Sequence, residues 1–502
     1  MRSTEGDSKY VNRIHLLSTI LTLFLTEKEQ IPVSVNQKML VLHQYRNPQS
    51  SVYNLTDILK VRGTFERGKL VKALEVLIWA HPAVGVKFSI DTDEVTATTM
   101  DNEQVAKAAD KGIIMHEPVT ETNIQQAITK NTKTPMDVFS GQLARVHFIP
   151  IANTPFTIVQ GIIHHLGGDG YSGFTLPLRF LQMYDTFELD YFVQRGLRAR
   201  EEDRLTISHF NQRQNLLSRT DNELKEHWNE LIRSEEFSIG DMLNAFPYPS
   251  KPTFQGKELI RVIDPMVWSQ LGEVSRKLEC TRFHLLTAAW ATIVSRYSQQ
   301  KRFNIGTAFH CRKEEWSNTV LFASNALPVP VHVDKSLSIS ELVRDIKKRV
   351  ELAKKHEEYP ASALLQDIAN NPLTSPVNQI SNPLFQVEIN YYHVPKLPKF
   401  KGKQIQIVER LYPEYMQAGL SNISAWFVDM NGKIFCNLKY STDLYDDVLV
   451  KQIEDDIFCC LESLTTADTT KSTTKLILSN SKLFDSLTRG PRKASPFVVP
   501  IQ

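Results

Sequence analysis

Residues 162–173 read "IIHHLGGDGYSG", two adjacent histidines after an apolar run, then an aspartate among glycines. Three chemistries are open to such a stretch. An imidazole titrates near neutral pH and can act as a general base. Histidines also ligate metals, but that usually takes a third ligand in frame, as in H-E-x-x-H on a helix. Adjacent residues on a strand point to opposite faces, so His164 and His165 do not readily face one ion. The same alternation sends one histidine to the core and the other to an opening. Asp169 lies four residues beyond His165 across two glycines, and its carboxylate can fold back to brace the turn. The residues alone leave two readings, a general base or two histidines in a polar turn.

The elements around the motif are legible. "LARVHFIPIANTPFTIVQGII" (143–163) predicts two apolar strands joined at "ANTP", leading straight into the histidines. "YSGFTLPLRFLQMYD" (171–185) predicts a helix, with Pro177 expected to kink or reset it. Leu70, Leu74, Leu77 and Ile78 share one face of a helix over 70–80. The stretch 194–252 is polar and charge-rich, and predicts a bridge without a dense core. Downstream, 283–298 reads as an apolar helix. Ser338 and Glu341 form a capping box ahead of the stripe Leu342, Ile346 and Val350. A strand follows within 382–394.

The 502 residues carry a net charge of +2 and are 42% hydrophobic, an ordinary globular composition with room for two cores. Near-neutral charge without a basic cluster argues against nucleic acid. Five cysteines without a C-x-x-C pair form neither a disulfide framework nor a zinc site, which fits a reducing, cytoplasmic setting. The apolar run 14–25 is too short to span a bilayer, so no integral membrane span is expected. It predicts an amphipathic or core-packed helix, with a peripheral membrane anchor as the alternative. No small-residue cleavage site follows it.

"HHLGGDG" fits H-H-x-x-x-D-G, and the chain resembles the condensation domains of nonribosomal peptide synthetases. These belong among the chloramphenicol-acetyltransferase-like acyltransferases. "PVSVNQKMLVLHQ" (32–44), "GKLVKALEVLIWAHPAVGVKF" (68–88), "FNIGTAFHCR" (303–312), "FASNALPVPVHVD" (322–334), "HEEYPASALLQDI" (356–368) and "SNPLFQVEINYY" (381–392) follow the family's order. The last of these resembles especially the condensation domains of fungal polyketide–peptide hybrid synthases. The resemblance implies an α/β (α+β) fold of two chloramphenicol-acetyltransferase-like lobes in a V with a central tunnel. The expected division is a helical extension (1–30), an N-terminal lobe (31–205), a bridge (206–252), a C-terminal lobe (253–465) and a loosely ordered tail (466–502). His310, His332, His356 and His393 stand alone in the second half, so one active site is expected.

By the same resemblance His165 is catalytic and His164 supports it. Asp169 holds the loop by an ion pair, and the Gly170 amide helps stabilise an oxyanion. The implied reaction moves an acyl or peptidyl group from a carrier-bound phosphopantetheine thioester to a small-molecule amine or alcohol. A carrier protein acting in trans is the expected partner of a monomer that needs no resident cofactor or metal. The sequence departs from the family at Gly85, where an arginine that pairs with the motif aspartate is common, so Arg145 or Lys87 is expected to replace it. Pro330 also stands where arginine is frequent, and the opening motif lacks its usual aromatic. Two alternatives therefore stand beside the first reading: an acyl-CoA-dependent alcohol O-acyltransferase, and an inactive scaffold or docking domain.

Overall fold

The computed structural model describes residues 28–466, save 93, 187–188, 221, 235–236, 238–243, 335, 370–381, 398–401, 403 and 413–420. The apolar run 14–25 and the tail beyond 466 lie outside the described residues. The chain divides into two mixed α/β units. Residues up to 216 form the first, together with 312–323 and 397–416; the second takes 217–311, 324–396 and the residues from 417 onward. The first unit thus takes back two segments from the second half of the sequence.

In the first unit, among the described residues, a five-stranded sheet runs in the order Ile405–Leu411, Asn54–Gly63, Phe156–His164, Ala144–Pro150, Ile113–Met115. The expected hairpin pairs antiparallel, and Asn153 in its turn takes φ 61°, a left-handed conformation that asparagine tolerates. The strand ending in His164 is buried on both faces. Val159 and Ile163 pack with Leu176, Phe180 and Leu181, while Ile158 packs with Ile128 and Ile149. This explains why 156–163 reads as a nearly continuous apolar run.

Helix Gly170–Thr186 follows the motif and continues through Pro177. The proline sits above Gly161, where a Cβ would lie 2.5 Å from its Cγ. A glycine in the strand therefore lets the helix come close, and the helix is not reset at the proline.

In the second unit a six-stranded sheet runs Asn325–His332, Arg302–Phe309, Val387–His393, Ile423–Met430, Lys433–Ser441, Gly256–Val262. Helices Pro265–Lys277, Arg282–Ser298, Ile339–Lys355 and Asp447–Thr466 pack on one face. The predicted capping box at Ser338 and Glu341 is present. The five cysteines are free, with Cys311, Cys436 and Cys460 buried.

The polar stretch 194–252 differs from its expectation. It continues a helix to Arg219 and adds helix Glu223–Arg233. Ile207, Phe210, Trp228 and Ile232 are buried in the two cores. Apolar residues spaced by several polar ones still form a stripe when the spacing is helical, and that dilution hid the core signal. Among the described residues no helix is long and apolar enough to cross a membrane.

Candidate active site

The motif is built where a strand ends and a helix begins. His164 closes the strand, and its amide donates to the Leu143 carbonyl at 2.9 Å. Its Nδ1 accepts from the Leu166 amide at 3.1 Å, which places any ring proton of the neutral form on Nε2. His164 is 1% exposed. Burial, with the nearby His165 and His43 adding to it, lowers its pKa to about 3. Its environment thus favours the neutral ring, bonded to its own turn.

His165 begins a short 3₁₀ turn, and its amide donates to the Tyr53 carbonyl at 2.8 Å. The residue keeps partial exposure. Phe322 meets it edge-on at 4.6 Å, and Tyr53 at 6.5 Å. Burial lowers its pKa from the ordinary value, against the opposing pull of Asp169 and of the His165 and Gly168 carbonyls. Its Nδ1 is buried and closes no hydrogen bond of good geometry. His164 is buried and His165 partly exposed, although His165 begins the 3₁₀ turn and no longer belongs to the strand.

Asp169 is 3% exposed and has two tasks. As the residue before helix Gly170–Thr186, it accepts from the Ser172 amide at 3.2 Å, an N-cap interaction. It also takes a two-pronged grip from Arg312, Nη2 to Oδ1 at 2.8 Å and Nε to Oδ2 at 3.2 Å. The Ala323 amide donates to Oδ2 at 3.2 Å. Burial pushes the carboxyl pKa up, but Arg312 and the hydrogen bonds outweigh it and leave the value below the ordinary one. Gly170 is exposed with open space where a Cβ would stand. Its N–H belongs to the first helical turn, where amides lack intrahelical partners.

Neither expected replacement partner holds Asp169. Arg145 turns instead to the carbonyls of Asn131, Thr134 and Pro135, at 2.6, 2.6 and 3.1 Å. Those carbonyls crowd the end of helix Ile124–Thr132, where a cation is favoured. Lys87 lies near Asp101. At Gly85 a Cβ would sit 2.7 Å from the Ile78 carbonyl oxygen, so this backbone has no room for the family's arginine.

Arg312 was missed as a partner because it stands 143 residues from Asp169. Its one sequence signal was its place at the end of "FNIGTAFHCR". Its Nη1 also donates to the carbonyls of Trp316 and Thr319, so one guanidinium both organises its own loop and ties it to the motif. That loop supplies Phe322, the second residue the sequence reading did not single out for the site.

A backward link holds the loop's other end. Arg179 donates to the Asn318 carbonyl at 2.7 Å and meets His81 Nε2 at 3.3 Å. His81 Nδ1 in turn meets Asp203 at 2.8 Å in the interior.

Comparison with known proteins gives the class to which this site belongs. The condensation-domain family model matches residues 27–482. The chain belongs to that family, whose members are acyl or peptidyl transferases. Tyrocidine synthase 2 of Brevibacillus parabrevis is 23% identical over 70% of this chain, and the polyketide synthase-nonribosomal peptide synthetase ACE1 of Pyricularia oryzae is 23% identical over 72%. The chain spans 9% and 8% of those two proteins, under a tenth of each. Among solved structures, a four-domain nonribosomal peptide synthetase bound to AMP and glycine superposes with TM-score 0.71 at 17% identity, covering 89% of this chain and 34% of that one. The condensation domain of the monacolin K polyketide synthase gives 0.67 at 17% identity, covering 88% and 99%.

Proposed function

We propose that the chain transfers an acyl or peptidyl group from a carrier-bound thioester to a small-molecule amine, forming an amide. The observation that supports this most is His165. The residue is partly exposed, burial lowers the pKa of its imidazole, and Asp169 just beyond it is tied by Arg312. In this reading the amine attacks the thioester carbonyl and His165 accepts the proton it sheds. The Gly170 amide faces the developing oxyanion. Collapse of the tetrahedral intermediate forms the C–N bond, breaks the C–S bond and releases the thiol, which takes the proton back. His164 and Asp169 hold the geometry and leave the chemistry to His165.

The donor is read as a phosphopantetheine arm on a separate carrier protein, because tethering raises the effective concentration to the millimolar range. The test is to offer one acyl group as the carrier-bound form and as acyl-CoA, with amines and alcohols as acceptors, and to follow products by mass spectrometry. The reading predicts amide product and a higher kcat/KM with the carrier-bound donor. An equal or higher kcat/KM with acyl-CoA, or ester as the main product, would replace it with the acyl-CoA transferase. Absence of any product would leave the scaffold reading.

A further inference from the structure

The sheet of the second unit has two unlike faces. Residues such as Ile389, Ala425, Phe427, Cys436 and Leu438 point into the core under the helices. The alternate residues point the other way, and that face mixes apolar residues such as Val428 and Phe435 with a polar row.

The strand registers place four of those residues in one line across four neighbouring strands. Glu388 pairs with Ser424, Ser424 with Lys439, and Lys439 with Glu258. Trp426, two residues along from Ser424, lies on the same face. Lys439 is 5% exposed, and its Nζ lies 3.7 Å from the Trp426 ring centroid. Among the described residues this ammonium donates no hydrogen bond and forms no ion pair within 4 Å. The Trp426 Nε1–H is buried and also without a partner.

Burial lowers the Lys439 pKa to about 8, although Glu258 and Glu388 both favour its charge. Burial likewise raises Glu388 to about 6, although Ser421 and Lys439 oppose it. Both charges are therefore under-compensated, and buried donors of this kind are normally satisfied. Water would fill the hydrogen bonds but leave the charges. A carboxylate beside Lys439 together with an ammonium beside Glu388 would meet both needs. The two Cα positions are two strands apart, roughly 10 Å, with the small Ser424 between them.

We propose that Glu388, Ser424, Lys439 and Trp426 form a binding site for a small zwitterion, an amine that carries its own carboxylate. The chemical class that meets both needs is a free amino acid.

The test is calorimetric titration of the full chain with glycine and β-alanine, with no acyl donor present. Glycinamide and N-acetylglycine, each lacking one charge, are the controls. The zwitterions should bind at least about tenfold more tightly than either control. Lys439→Met should abolish the preference for glycine over glycinamide. Glu388→Gln, nearly isosteric, should weaken glycine while leaving N-acetylglycine unchanged; it decides the matter if Lys439→Met melts out. Equal binding of glycine and glycinamide, no binding of glycine at millimolar concentration, or unaltered binding in both variants would overturn the site. Because the titration contains no donor, it stands apart from the acyl-transfer reading.

Discussion

Arg312 and Asp169 are 143 residues apart in the chain and 2.8 Å apart in the fold, with both side chains almost fully buried. The pair joins the loop that carries Phe322 to the cap of the helix that follows the histidines.

Breaking that pair should cost stability as well as activity. Removing one partner of a buried ion pair strands the other charge, at about 3–5 kcal/mol. Asp169→Ala and Arg312→Met should therefore unfold at lower urea than the parent chain at pH 7. The folded Asp169 pKa lies below its unfolded value, so the pair's contribution is present above about pH 4 and is lost as pH falls through the folded pKa. The gap between Arg312→Met and the parent should narrow in acid. An Asp169→Ala protein that melts like the parent yet makes no product would make Asp169 a direct participant in the chemistry.

His165→Ala should keep the fold and lose about two to four orders of magnitude in turnover, the usual loss for a general base. The check is product formation alongside a melting curve. Parent-like turnover by the folded variant would remove His165 from the mechanism.

Phe322→Ala should move the acidic limb of kcat/KM to higher pH. The ring packs edge-on to His165, whose pKa burial holds below the ordinary value. Letting water reach the imidazole raises that pKa toward about 6.5. A base must be neutral to work, so the rate then begins to fall at a higher pH. A limb that stays in place would show that Phe322 does not set the imidazole's environment.

His147 should make the chain acid-sensitive. It is buried, its Nδ1 lies 2.9 Å from His116 Nε2, and burial lowers its pKa to about 3. The folded value lies below the unfolded one, so stability is full above about pH 6.5 and falls as pH drops toward the folded pKa, by up to about 1.4 kcal/mol per pH unit. His147→Asn should flatten the pH dependence of urea unfolding between pH 6 and 4. An unchanged slope would assign the acid sensitivity elsewhere.

Much of the local structure was legible because it is written in short-range pattern. The hairpin at "ANTP", the helix over 70–80 and the Ser338–Glu341 cap all depend on residues a few positions apart. Helical and strand periods act at that range. Family membership was legible too, since the motif and the ordered segments around it survive as residue types.

What the tertiary structure alone decided concerns residues brought together from far along the chain. Nothing near Asp169 marks Arg312 as its partner. Arg145 was the nearer candidate, but the carbonyls at a helix end claim it, and the Ile78 carbonyl shuts a side chain out at position 85. The row Glu388–Ser424–Lys439–Glu258 exists only through the registers of four strands. The buried residues of 206–233 show as core only once their helices pack. An ion pair or a cross-strand row depends on through-space distance, which the linear order of residues does not encode. The same order does encode which face of a strand or helix each side chain takes.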